Sequence, residues 1–398
     1  MKHRLFLHLF LWIAPGMQPL MAQSSQNQLS EYLNSLAALP VDSVKRLDLS
    51  GMQLSHWPDA LLAYTSVEQI YLDNNRFTEI PAALRQYKQL KRLNIDRNLL
   101  SDRKLNLRAF KKLESFSAAN NRFRGELQLK AGKKLRKLVL SQNQLHKLSW
   151  QAAGLRELDL SGNRMGAVKQ ACWQAPRLEQ LVLSFNSLQA LPTGVQRQKR
   201  LRKLVLGNNA FAAIPPQMQS FKKLESLMFY KNAISQLPDF VWEMHQLREI
   251  DLHHNQIERL SDGIGNLKQL QELYLAHNRL EALPDALGEL PALRFLYLEY
   301  NRLQTLPGSF GQLSALERLS LTGNRFLIFP KGLLELEAIM ELDLSENDIE
   351  DFPTDIVRHD KIRLLLLHQN ACIPEMQCIR YLNEIAADAV EREYRFQY

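Results

Sequence analysis

Residues 293–307 read Leu293-Arg-Phe-Leu296-Tyr-Leu298-Glu-Tyr-Asn301-Arg-Leu303-Gln-Thr-Leu306-Pro307. Apolar side chains at the fourth and sixth places alternate with variable ones at the third and fifth, the pattern of a short strand with one buried face. Asn301 stands where the alternation stops, and Leu-Pro closes the stretch. The pattern L-x-x-L-x-L-x-x-N-x-L-x-x-L-P recurs, mostly every 23 residues. First positions fall at Val44, Val67, Leu90, Leu113, Leu135, Leu155, Leu178, Leu201, Leu224, Leu247, Leu270, Leu293, Leu316, Ile339 and Ile362, fifteen copies in all. Asn holds the ninth place in fourteen of them. The first copy departs with Met52, as terminal repeats often do.

No single copy can bury its own leucines, so the copies must stack. Stacking predicts a parallel sheet, and at about 4.8 Å per strand it would extend on the order of 70 Å. The asparagines carry both donor and acceptor groups where the chain turns away from the sheet. They are expected to satisfy backbone groups of neighbouring coils and to be structural.

On these residues the chain resembles the leucine-rich repeat proteins, the 23-residue kind with Leu-Pro after the asparagine turn, over roughly residues 44–374. The resemblance implies an α/β solenoid: a horseshoe with a parallel concave β-sheet of about fifteen repeats and short helical caps at both ends. It also implies an interaction scaffold and names no target.

The ends suggest the remaining organisation. Met1-Lys2-His3-Arg4 precedes an apolar run from Leu5 to Ala14, and Leu20-Met21-Ala22 precedes Gln23, the pattern of a secretory signal peptide over residues 1–22. About ten apolar residues are too few for a membrane span, which takes roughly 20. The Ala-Gln junction suggests bacterial export. A helical cap is expected over residues 23–43, with its helix at Ser30–Leu39, before repeats spanning 44–374. A second cap, 375–398, contains the amphipathic stretch Ile379–Ile385. Of three cysteines, Cys372 and Cys378 lie six residues apart and could form a disulfide in an oxidising compartment, or stay as two buried thiols. Cys172 is left alone, and nothing marks a base beside it.

The third to sixth copies lack the proline, and two are shortened, which makes residues 99–172 irregular and predicts a different outer path there. The same region is basic. Residues 91–150 hold 16 Lys and Arg against 4 Asp and Glu, a net of +12, whereas residues 241–398 hold 15 against 26, a net of −11. The whole-chain charge of +8 therefore hides a dipole along the solenoid. Lys111, Lys112, Arg122, Arg124, Lys133, Lys134, Arg136 and Lys137 form the candidate surface for an anionic polymer or envelope. A solvated face is the other reading. Aromatics are sparse in the block, which argues against nucleic acid.

The second, third, fifth, seventh and eighth places face the concave side. In copies nine to twelve they place Met228, Tyr230, His253, His254, Tyr274, His277, Phe295, Tyr297 and Tyr300 there. Nothing in the fold requires large rings on that face, and such clusters supply most of the energy at interfaces. Glu249, Asp251 and Glu272 rim them. Three readings stand: a protein or peptide site, a glycan site, or rings packed on one another across strands. Asp251 and the histidines are zinc-ligand types, yet their spacing is not distinctive, so no metal or cofactor is assigned. The sequence has no Gly-rich phosphate loop, Gly-x-Ser-x-Gly elbow, His-Glu-x-x-His or Cys-x-x-Cys motif, and no catalytic residue is assigned.

The sequence thus predicts a non-catalytic binding module, secreted, periplasmic or on the cell surface, whose partner is a protein or peptide, or else a glycan. One alternative is a structural or adhesive protein held to an anionic envelope or matrix by the basic block. Another, if residues 1–22 are not a signal, is a cytoplasmic signalling scaffold.

Overall fold

The computed structural model describes residues 18–167, 175–353, 355, 356, 359 and 361–371, and of residues 18–26 the backbone alone. One strand of three residues comes from each of the fifteen copies, from Arg46–Asp48 to Leu364–Leu366. They form a single parallel sheet of 15 strands in the order of the copies. The third to fifth places of one copy pair with the same places of the next, as in Glu272 with Phe295, Leu273 with Leu296 and Tyr274 with Tyr297. The ladder continues beyond each strand. The Leu275 amide donates to Tyr297 O at 2.8 Å, and the His277 amide to Glu299 O at 2.7 Å.

The apolar places point inward. Leu270, Leu275 and Leu280 are fully buried and Leu273 nearly so. They belong to one continuous apolar column that runs from Leu36 to Leu365. Burial of a leucine side chain contributes about 1.5–3 kcal/mol, and because coils touch only their neighbours this gain accrues coil by coil.

The ninth-place asparagines do the expected work. Asn278 Nδ2 donates to Leu252 O in the preceding coil at 3.0 Å and to Leu275 O in its own at 2.9 Å. Its Oδ1 accepts the Ile257 amide at 3.0 Å. Three backbone groups at a buried turn are thereby paired. The residue before each asparagine is left-handed in every coil, including Asn74, Arg97, Lys231, His254, His277 and Tyr300 at φ between 50 and 56°. Gly51, Gly162 and Gly323 fill the same place. Only glycine, and to a lesser extent asparagine, adopts this conformation at low cost, so stacking imposes it on the rest.

On the outer side most proline-bearing coils turn through a short 3-10 helix, such as Asp239–Glu243 after Pro238 and Asp285–Glu289 after Pro284. The third, fourth and fifth coils, which lack the proline, take a different outer path, as predicted, and its form is a second sheet, whereas the tenth coil, with Ser261 in that place, keeps a 3-10 helix at Asp262–Asn266. Lys104–Asn106, Arg124–Lys130 and Gln144–Gln151 pair in parallel. Their residues alternate, with Leu127, Leu129, Leu148 and Trp150 buried and Gln128, Lys130 and Gln151 exposed. Without proline every amide can join a ladder. The register slips between Gly125 and Glu126, where Gly125 sits at φ 73°.

Among the described residues the one α-helix runs Gln18–Ala37. It starts earlier than the expected Ser30–Leu39 and contains the expected cleavage point after Ala22. It covers the first coil: Leu29, Tyr32 and Leu33 pack on the apolar column, and the Tyr32 hydroxyl accepts the Asp48 amide at 2.9 Å. No helix among the described residues is long and apolar enough to cross a membrane. The expected signal segment through residue 17, Cys172, Cys372, Cys378 and the expected C-terminal cap at 375–398 lie outside the described residues.

Candidate functional site

Strand register alone sets the concave face. Because each coil repeats the last, the fifth, seventh and eighth places become three columns running along the sheet. The eighth-place column holds His254, His277 and Tyr300. Its left-handed backbone turns these side chains onto one edge of the sheet. The His254 and His277 rings are stacked, 4.1 Å between centroids and 8° from parallel. Tyr300 stacks on His277 at 4.6 Å. In the seventh-place column Tyr230 stacks on His253 at 5.1 Å, and His253 meets His254 edge-on at 5.3 Å. Five rings from four successive coils therefore form one continuous run: Tyr230, His253, His254, His277, Tyr300.

Each tyrosine at the end of this run lies over a glycine. A β-carbon on Gly207 would come within 2.1 Å of the Tyr230 ring, and one on Gly323 within 2.5 Å of the Tyr300 ring. Tyr230 reaches across Gly207 to donate to Ser184 Oγ at 3.3 Å. Tyr300 reaches across Gly323 to the Glu346 carboxylate, 3.2 Å to the nearer oxygen. Each reach covers two coils, in opposite directions, so the run is fastened at both ends.

The fifth-place column adds a second stack, Tyr274 on Tyr297, with centroids 5.0 Å apart and rings 4° from parallel. The Tyr274 hydroxyl donates to Glu272 Oε2 at 2.7 Å. Burial, reinforced by that carboxylate, raises the Tyr274 phenol far above its ordinary range. Phe295 belongs to neither stack. It occupies the third place, with the guanidinium groups of Arg294 and Arg318 at 5.1 and 5.4 Å from its ring centre. Met228 is half-buried in the fifth-place column beside Asp251.

The electrostatics follow from crowding. Burial, followed by the neighbouring charges of His277 and His253, lowers the His254 pKa, and burial followed by His253 lowers that of His277. Both imidazoles are therefore harder to protonate than a free histidine. His253 instead places Nδ1 2.5 Å from Asp251 Oδ1. Parallel stacked imidazoles hold their in-plane lone pairs side by side, so His254 and His277 do not converge on one ion. Among the described residues no group of three or more His, Cys, Asp or Glu is arranged to hold a metal.

Three features of this face were not singled out from the sequence. Glu299 sits in the seventh-place column with Oε2 buried and, among the described residues, without a hydrogen-bond partner. Burial, with the like charge of Asp343, raises its carboxyl pKa. Phe185 occupies the eighth place of the seventh coil and is 50% exposed, separated from His254 in that column by Asn208 and Lys231. Gly207 and Gly323 matter through the tyrosines above them. Reading each column down all fifteen coils would have flagged Phe185. The role of the glycines depends on ring orientation and has no sequence signal.

The basic residues do not form one patch. Lys111, Lys112, Lys133 and Lys134 stand in the turns that lead into strands, Arg136 and Lys137 lie at the second and third places on the concave side, and Arg122 and Arg124 follow the asparagine turn at the other end of the strand. Windowed charge counting merges positions that the coil separates.

Comparison with known proteins agrees with this architecture. A family model described as leucine rich repeat matches residues 133–188, 199–257, 245–303 and 268–326. No curated protein matches the chain. Among solved structures, a leucine-rich repeat protein of Leptospira interrogans is 23% identical, with 93% of this chain and 98% of that one covered and a TM-score of 0.63. An internalin of Listeria monocytogenes is 20% identical over 85% of this chain and 94% of its own, TM-score 0.60. The Toll–Spätzle complex of Drosophila is similar at 22% identity over 80% of this chain and 46% of that one, TM-score 0.64.

Proposed function

The chain is a leucine-rich repeat protein, and from that premise we propose that it is a non-catalytic binding module. It recognises a protein or peptide partner through the concave face of coils nine to twelve. The observation that carries the reading is the five-ring run. Solenoid stacking needs apolar side chains at the inward places only, yet this face holds aligned rings, with Tyr300 43% exposed. Rings fixed by stacking and by hydroxyl contacts lose little freedom on binding, which is what makes tyrosine effective at interfaces. The Toll–Spätzle structure is itself a complex of a similar fold with a second protein. The rim formed by Glu249, Asp251, Glu272 and Glu346 favours a partner segment that presents cations.

The ring run lies on the open face of a sheet, which supports a binding role over catalysis. The apolar run behind Lys2 and Arg4 supports export, and sequencing the N-terminus of the chain from its source would test that. The site is tested by replacing Tyr230, Tyr274, Tyr297 and Tyr300 with alanine. Circular dichroism should be unchanged and partner affinity should fall at least about tenfold, as loss of aromatic hot spots does.

A further inference from the structure

The two residues that turn the chain into each strand occupy one edge of the sheet, and the structure brings them into line from coil to coil. In the fourth, fifth, eighth and ninth coils they are Lys111-Lys112, Lys133-Lys134, Lys199-Arg200 and Lys222-Lys223. Seven of these eight are exposed and Lys112 is half-buried. Between them the seventh coil contributes Arg177, and only the sixth is uncharged, with Ala153-Gly154. Beyond the ninth coil the row ends: the tenth holds His245-Gln246, the eleventh Lys268-Gln269 with Lys268 paired to Glu289 at 3.1 Å, and the next three hold Pro291-Ala292, Ser314-Ala315 and Glu337-Ala338.

The neighbouring second-place column is charged but neutralises itself. Lys91 pairs with Glu68 at 2.7 Å, Arg156 with Glu179 at 3.1 Å, and Arg202 with Glu225. Among the described residues no ion pair involves the eight turn cations. An unpaired row of like charge is costly to hold together unless a counter-charge serves it, and it sets up a field along its length.

We propose that this turn edge, from the fourth to the ninth coil, binds a linear acidic polysaccharide. Five strand intervals make the row about 24 Å long. A linear glycan advances by about one strand spacing per sugar ring, so carboxylates or sulfates along it can meet successive coils. The row is one residue pair wide and is flanked by Glu114, Glu179 and Glu225. An anionic membrane, being two-dimensional, would press its headgroups against those glutamates as well, whereas a single polymer chain need not. None of the turn residues is aromatic, so there is no platform on which nucleic acid bases could stack.

The experiment measures binding of heparin and of polygalacturonate by the full chain across a salt series. Two variants accompany it: Lys111→Glu/Lys134→Glu/Lys199→Glu/Lys223→Glu in the row, and Arg122→Glu/Arg124→Glu at the opposite edge. Circular dichroism establishes that both fold, and the four row lysines changed to Gln give a milder second version. Binding of at least one glycan that weakens steeply with salt, falls more than about tenfold in the row variant and persists in the other supports the proposal. Absence of glycan binding, indifference to the row variant, or equal loss in both variants overturns it. Preferential binding of single-stranded oligonucleotide or of phosphatidylserine vesicles also overturns it.

Discussion

The Tyr300 hydroxyl donates to the Glu346 carboxylate at 3.2 Å, across 46 residues and over the intervening coil at Gly323. The contact exists because Gly323 lacks a side chain beneath the ring. It fixes Tyr300 against His277 and so orders one end of the ring run. Tyr230 does the same over Gly207 at the other end, with Ser184 as its acceptor. The two glycines are thus as much a part of the candidate site as the rings.

Gly207→Ala is predicted to lift the Tyr230 ring, since the new methyl would lie 2.1 Å from it. Partner affinity should drop several-fold and stability should fall by about 1–3 kcal/mol, because Gly207 is buried and the displaced ring half-buried. Gly323→Ala should cost more stability, because its φ of 65° strains any side chain as well. Calorimetry and binding measured on both variants separate the two effects. Equal, unperturbed affinity in both would contradict the role given to the tyrosines.

Asn278→Ala is predicted to leave the Ile257 amide unpaired at a buried turn, while Leu252 O and Leu275 O each lose one of two donors and keep Asn255 Nδ2 and Asn301 Nδ2. A cost of about 1–3 kcal/mol in urea unfolding is expected. Met52 occupies the same place in the first coil, so Met52→Ala should cost clearly less.

Acid should weaken the ring run. His254 and His277 have folded pKa values below their ordinary value, because burial and neighbouring histidines oppose the charged form. Their unfolded forms therefore bind more protons as pH falls below about 6.5, and the stability they contribute, complete above that pH, is lost toward the folded pKa values. Glu299 acts in the opposite sense at lower pH, since its folded pKa is raised and its contribution is lost as pH climbs through that value. The melting temperature should fall between about pH 7 and pH 5.5, and His254→Gln/His277→Gln should flatten that fall. An identical slope in the double variant would contradict the account.

The outer sheet makes its own prediction. The Gln128 amide donates to Arg103 O at 2.9 Å. Gln128→Pro removes that bond from a middle strand and should destabilise by about 1–3 kcal/mol in denaturant unfolding, although proline is native to the outer segment of nine other coils. No loss would mean that the sheet is not a stable feature.

Much of this fold could be read from the sequence because repetition averages out local ambiguity. The fifteen strands, their order and the role of the asparagines all follow from one spacing. The missing prolines marked where the outer path changes, and the Leu127-x-Leu129 alternation explains why a sheet replaces the 3-10 turn. The left-handed eighth place was only partly legible: Gly or Asn fills it in six coils, but Arg97 and Tyr300 carry no local preference for it and only stacking imposes it there. The candidate site was partly legible. Column reading gathered the rings, but Phe295 lies between two arginines rather than in a stack, and the basic block divides between two edges and the concave face. The first outcome depends on side-chain direction, which spacing does not encode; the second follows from place within the repeat, which windowed charge counting ignores.

The most direct test of concave-face recognition is a side-by-side capture and affinity measurement. Residues 23–398 and the same chain carrying alanine at Tyr230, Tyr274, Tyr297 and Tyr300 would be offered to material from the source cell's surface and surroundings. Captured proteins would then be titrated against both baits. The account predicts a partner held by the native face and bound at least about tenfold more weakly by the variant. Partners bound with equal affinity by both would contradict it.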